Sequence, residues 1–362
     1  MKAIMKNLPN NIYSGAYKEG HVQGIAVDTE RGYVYYSFTT MFLKTDMLGN
    51  PIGSVIKLAG HLGCITYDAK RNAVYGSLEL KHDSIGAGII SRTGWDPSAE
   101  DCFYLVCFDC DAITKMNMDA EADGVMKAVY LSDVVKDYTE NDEVSGRAHR
   151  YGCSGIDGTG LGPVFSASTD SPEKIMIAYG IYGETDRADN DYQVILQYDP
   201  SVIERFGQPL NQASPHHSGP ESCEEKYFFY TGNTCFGIQN LEYDPYTDSW
   251  FVAVYRGKKT DFDNFNMFFI DGKTPAKVSE LSGRKGETGP VLTSASLGVQ
   301  GKQENIRGTA FAYGQTGMAS MGDHFRREDD EYHVMHQDRV RLRARPKYRI
   351  SLKVYKDQLR HH

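Results

Sequence analysis

His21 and His61 are the first residues of this 362-residue chain whose type and placement point to chemistry. An imidazole titrates near neutrality, so it can take a proton, give one or ligate a metal. Asp157 adds a carboxylate for acid–base work, and Arg307 a guanidinium that clamps an anion. Gln23, Gln239 and Asn305 supply amides, which bond hydroxyls both as donors and as acceptors. Glu79, His82, Asp186, Arg187 and Arg256 form an outer set suited to holding a substrate. With His21 or His61 as general base, Asp157 as acid or base and Arg307 as clamp, the set suits hydrolysis or elimination on a small carbohydrate or uronic-acid derivative. Asp157 with Glu79 or Asp186 is the pair to consider for hydrolysis by two carboxylates, which needs acids roughly 5–10 Å apart. A divalent metal held by the same groups is an open alternative, so the cofactor is undetermined.

A repeat brings these distant residues together. One copy reads Gln23-Gly-Ile-Ala-Val-Asp28, a turn ending in Gly32, then Tyr33-Val-Tyr-Tyr-Ser37. Another reads Gly63-Cys-Ile-Thr-Tyr-Asp68, a turn ending in Asn72, then Ala73-Val-Tyr-Gly-Ser77. A third reads Gln239-Asn-Leu-Glu-Tyr-Asp244, a turn ending in Asp248, then Ser249-Trp-Phe-Val-Ala-Val254. Less regular copies begin at Asp157 and Arg307. Each is an apolar strand, an Asp that accepts backbone N–H bonds, a turn residue tolerant of positive φ, and a second alternating strand. The 24 Tyr and 36 Gly agree with aromatic-rich strands punctuated by turns. The outer strands recur as Phe103–Asp109, Tyr192–Asp199 and Asn266–Asp271.

Hairpins of this kind resemble the blades of six-bladed lactonase-type and NHL-type β-propellers. The resemblance covers most of the chain, but it is architectural and implies no particular reaction. It implies an all-β fold: a propeller of about five blades of four antiparallel strands, in one domain spanning 1–362. Blade cores are expected near 21–57, 61–132, 150–207, 235–280 and 305–355. The ring is expected to close by pairing of Tyr348–Tyr355 with an N-terminal strand near 11–18. Stretches 84–100, 111–148 and 207–232 read as long polar loops. First strands line the axis in this fold, so the aligned positions Gln23, Gly63, Asp157, Gln239 and Arg307 should meet there. His21, His61 and Asn305, two residues earlier, should stand at the channel mouth.

The net charge of −9 argues against nucleic acid or an anionic membrane as partner. No apolar stretch nears the roughly 20 residues of a membrane helix, and the start lacks a signal-peptide core, so a cytoplasmic location is expected. The seven cysteines are odd in number and scattered, as reduced, buried small hydrophobes are. Cys107-Phe-Asp-Cys110 has no second pair at metal spacing. The Thr185–Asn190 and Thr260–Asn264 loops offer oxygens to Ca²⁺, without a full known loop pattern. No Gly-rich loop ends in Gly-Lys-Ser/Thr, so a nucleotide site is not expected.

Each polar residue also has a structural role open to it. His21 and His61 can bond across blades, Asp157 can serve a turn, and Gln23 and Gln239 can bridge through water. The expected ligand is small and polar, such as an oligosaccharide. A propeller that binds a protein or glycan without catalysis is the alternative.

Overall fold

A computed structural model describes residues 11–96, 100–143, 145–165, 171–180, 184, 187, 191–232, 235–311, 314–320, 338–345 and 349–356. After β1 (Asn11–Tyr13), strands β2 (Val22–Asp28), β3 (Tyr33–Phe38), β4 (Met41–Asp46) and β5 (Pro51–Ile56) form an antiparallel meander. A second meander follows from β6 (His61–Asp68), β7 (Ala73–Leu80) and β8 (Cys102–Asp109). The short β9 (Met118–Asp119) returns to β5, and β10 (Met126–Tyr130) completes the second sheet. The third contains β11 (Ile156–Pro163), β12 (Glu173–Tyr179), β13 (Tyr192–Tyr198) and β14 (Glu225–Tyr230). The fourth starts with β15 (Ile238–Asp244), β16 (Ser249–Val254) and β17 (Met267–Asp271). Strands β18 (Lys277–Glu280) and β19 (Thr288–Val291) extend the third sheet, and β20 (Val299–Gln300) and β21 (Arg307–Thr309) extend the fourth.

These four meanders are blades of an all-β propeller. A further sheet has the order β1, β24 (Arg349–Lys356), β23 (Asp338–Arg345), β22 (Met318–Ser320). The expected contact of the two ends is present: Asn11 pairs with Ser351 and Ile12 with Ile350. The expectation of about five blades in a closed ring is nevertheless corrected to four blades, without a closed ring among the described residues. The physical reason lies at Arg307–Thr309. The sequence pattern suits an inner strand of a last blade, but this segment adds to the outer side of β17 instead.

The turn chemistry is as the repeat implies. Asp28 Oδ1 accepts from Glu30 N at 3.0 Å and Arg31 N at 2.9 Å, and Asp68 Oδ1 accepts from Lys70 N and Arg71 N at 2.8 and 3.1 Å. The turns end at positive φ: +80° at Gly32, +49° at Asn72 and +47° at Asp248. Large aromatics fill the spaces between blades. Phe42 of the first stacks on Phe108 of the second with ring centres 4.3 Å apart. Trp250 of the fourth lies against the β11 glycines, where a Cβ at Gly160 or Gly162 would come within 2.8 Å of its ring. Burying an aromatic of this size contributes about 1.5–3 kcal/mol.

The long loops contain helices that alternation alone does not reveal. α1 (Ser84–Thr93) is capped by Asp83, whose Oδ1 accepts from Ile85 N and Gly86 N, and ends at Gly94 with φ +70°. α2 (Ser132–Thr139) lies in the next long loop, and α3 (Val202–Phe206) directly follows the third blade's β13. All seven cysteines are free thiols.

Candidate axial site

Each of the four inner strands carries a register break at the same place. Pairing skips between Val22 and Gly24 on β2, between Leu62 and Ile65 on β6, between Ile156 and Gly158 on β11, and between Ile238 and Asn240 on β15. A β-bulge leaves one residue out of the ladder and re-aims its side chain. The residues left out are Gln23, Asp157 and Gln239, with Gly63 and Cys64 in the second blade. Backbones approach closely here: a Cβ on Gly63 would lie 2.4 Å from Ser77 Oγ and 2.9 Å from the Asp157 carbonyl oxygen. The repeated bulge is what turns polar side chains to the axis of an otherwise apolar strand set.

Gln239 Nε2 donates to Asp157 Oδ2 at 3.0 Å. Asp157 Oδ1 lies 3.3 Å from His61 Nδ1, and Glu79 Oε1 lies 3.7 Å from the same nitrogen. His61 and Glu79 are register partners on β6 and β7. His61 Nδ1 is buried between two carboxylates yet aligned for a hydrogen bond with neither. Glu79 Oε2 accepts from Ile156 N at 2.9 Å. The buried Lys81 ammonium donates to the Ser154 carbonyl at 2.7 Å and lies 2.8 Å from Glu79 Oε1 and 3.1 Å from Asp83 Oδ2.

The electrostatics follow from burial. Desolvation lowers the His61 pKa, opposed by Asp157 and reinforced by Lys81 and His21, so the ring is neutral near pH 7. Desolvation pushes the Glu79 carboxyl up to about 8, against the lowering pull of Lys81. Lys81 is raised, because Glu79 and Asp83 outweigh its burial. At the rim, desolvation and then the Arg92 cation lower the pKa of His21, while Asp157 raises it. A cavity of about 10 Å³, room for a water-sized group, lies between His61, Glu79 and Lys81 on one side and Ile85, Gly86, Ile89 and Ile90 of α1 on the other. Deeper on the axis, buried Asn240 donates from Nδ2 to the Gln23 carbonyl at 3.2 Å and accepts from Cys64 Sγ at 3.1 Å. That crossing joins the fourth blade to the first and second.

The structure therefore brings together His21, His61, Glu79, Asp157 and Gln239, and Gln23 lies in the equivalent bulge, donating to Thr39 Oγ1 at 3.3 Å. It does not bring in Arg307. That residue stands on β21, outside β17, with its guanidinium on Gln300 Oε1 and the Gly298 carbonyl, both at 3.2 Å. Asn305, just before β21, is exposed, and Arg307 is half-buried. The expectation that both line the axis is corrected, because a Gly-Thr-Ala-Phe pattern reads alike on an inner and an outer strand. His82 turns away to Asp101 and Asp96, at 3.0 and 3.1 Å. Arg187 is buried on the carbonyls of Ala148 and His149, at 2.9 and 2.7 Å. Arg256 is exposed beyond β16, and Asp186 lies outside the described residues. Asn264, in the second Asp-rich loop, accepts from Lys259 N at 3.2 Å through Oδ1 and donates to the Lys259 carbonyl at 2.7 Å through Nδ2. Among the described residues, the cluster with metal-ligand spacing is elsewhere, at Glu100, Cys102 and His217.

Reasoning from sequence passed over Arg92 and the central place of Lys81. The signals were present: Asp83 before Ser-Ile-Gly-Ala-Gly-Ile-Ile-Ser-Arg and Gly94 after it are the caps of a short helix.

No protein-family profile matches the chain, and no curated protein matches it. Among solved structures, Saccharomyces cerevisiae Sqt1 is similar with a TM-score of 0.34 and 8% identity, over 93% of this chain and 59% of that one. The soluble aldose sugar dehydrogenase of Escherichia coli, in its apo form, is similar with a TM-score of 0.38 and 8% identity, over 95% of this chain and 88% of that one. The chain thus spans about three fifths of Sqt1. Similarity this low carries no argument about function; the propeller assignment rests on the sheets themselves. No helix among the described residues is long and apolar enough to cross a membrane.

Proposed function

We propose that the axial mouth binds a small, hydroxyl-rich ligand and that His61, with Asp157, acts on it as a general base. The observation that supports this reading is the buried, unaligned His61 Nδ1 between Asp157 and Glu79. A buried donor or acceptor without a partner costs about 1–3 kcal/mol, so its retention suits a group that is completed by ligand. A neutral imidazole is the form that accepts a proton. Gln239 holds Asp157 on its far oxygen, leaving Oδ1 toward His61, and His21 offers a second imidazole at the rim. Arg92 replaces Arg307 as the cation that meets an anionic group, since it is exposed on α1 and acts on His21.

A uronic-acid derivative combines the hydroxyls and the carboxylate this arrangement fits, and proton abstraction leading to elimination is the reaction one neutral histidine supports. Turnover of saturated and unsaturated uronate oligosaccharides by wild type and by His61→Ala tests it. Turnover that His61→Ala abolishes agrees with the reading, and turnover that survives His61→Ala contradicts it. Binding of a glycan or protein partner at the same mouth, without turnover, is the second reading. The small size of the cavity under α1 favours it over catalysis on a large substrate.

A further inference from the structure

We infer that Glu100, Cys102 and His217 form a site for a divalent cation of the zinc class. The site is separate from the axial cluster and does not depend on the reading given above. Each residue offers a different ligand atom, and the three atoms lie within 4.8 Å of one another. Tetrahedral zinc, with bonds of about 2.0–2.3 Å, sets its ligands roughly 3.5 Å apart, so modest rotamer shifts close the set. His217 Nε2 and Glu100 Oε1 are already 3.0 Å apart. Both are exposed and give the ion a path in, while Cys102 forms the buried floor at the start of β8. Thiolate and imidazole together select zinc-class ions over magnesium or calcium.

The surroundings hold the histidine in place. Tyr130 stacks on the His217 ring, with centres 4.5 Å apart and planes at 24°. The backbone on either side is pinned: Tyr104 OH donates to the His216 carbonyl at 2.7 Å, and Tyr130 N donates to the Ser218 carbonyl at 2.8 Å. Supports that fix ring orientation are what a metal-ligating histidine requires. Three protein ligands leave a fourth position for water.

The position gives the ion a role. Glu100 and Cys102 end the insert that begins at Lys81 and contains α1, the helix over His61. His217 belongs to the loop between α3 and β14. A bound ion ties that loop to the foot of the insert.

The test is Co²⁺ titration of the full chain, read by the thiolate-to-cobalt charge-transfer band. One equivalent should bind with that band. Cys102→Ser should remove the band, and His217→Ala and Glu100→Gln should each weaken binding 10-fold or more. His217→Cys should retain binding, because it replaces one ligand with another. His361 and His362 are common to every variant and cancel. Absence of a stoichiometric site, a site without the thiolate band, or a band unchanged in Cys102→Ser would overturn the inference and leave Glu100–His217 as a surface ion pair.

Discussion

Gln239 of the fourth blade donates to Asp157 of the third at 3.0 Å, and both residues sit in β-bulges at the same point of their inner strands. The bond is possible because the bulges lift both side chains out of the ladder and toward each other. Gln239→Leu should free Asp157 Oδ2 and change ligand affinity. It should cost only about 0.5–1.5 kcal/mol of stability, the usual net worth of one such bond. Urea denaturation and ligand titration on the same variant separate the two effects.

Lys81 and Glu79 form a buried pair that becomes ionic above the raised Glu79 pKa of about 8, so measured there, removing one partner should cost far more than removing both. Glu79→Leu leaves the ammonium with Asp83 and a carbonyl, and Lys81→Met strands Glu79. Each should destabilise by about 3–5 kcal/mol, and the double variant by less than either single one. A double-mutant cycle by chemical denaturation measures this coupling directly.

Gly155 has φ +133°, and a Cβ there would lie 2.1 Å from Glu79 Oε2 and 2.6 Å from Lys81 Nζ. Gly155→Ala should therefore strain the backbone and displace the ion pair together, at about 2–3 kcal/mol. Gly88→Ala is the control, since a Cβ at Gly88 meets nothing within 4 Å. Thermal unfolding of the two proteins should differ by several degrees.

The pH dependence has two opposing parts. The His61 pKa is lowered in the fold, so below the ordinary 6.5 the unfolded chain binds more protons and stability falls on acidification. The Glu79 pKa is raised to about 8 from 4.5, so between those values the folded state holds a proton the unfolded chain has lost, and stability falls as pH rises. His61→Asn removes the first part. Wild type should gain stability relative to His61→Asn as pH rises through 6.5, and the gap should then level off. A gap that narrows over that interval would contradict the assignment.

The blade hairpins could be read from the sequence because their chemistry is local. Asp28, Asp68 and Asp244 accept bonds within their own turns, and Gly32, Asn72 and Asp248 take positive φ beside them. The meeting of His61, Asp157 and Gln239 could also be read, because equivalent positions of successive blades share one axis. Sequence pattern alone does not place Arg307, because an inner and an outer strand both show small and aromatic residues in alternation; pairing with β17 decides, and pairing is not local. α1 reads as loop in the sequence because its two glycines, Gly86 and Gly88, weaken the helical pattern between good caps. Gly86 is needed there, since a Cβ would lie 1.6 Å from the Lys81 carbonyl oxygen. The cysteine-histidine-glutamate cluster joins residues more than a hundred positions apart through two irregular segments, and no sequence spacing announces it.

The most direct test of the axial site follows the histidine ring resonances by NMR while saturated and unsaturated uronates are titrated in. His21 and His61 should shift together, and Asp157→Asn should weaken that binding 10-fold or more while Arg307→Ala leaves it unchanged. If those two rings do not respond to any uronate, or if Arg307→Ala and Asp157→Asn weaken binding equally, the account of the axial site is wrong.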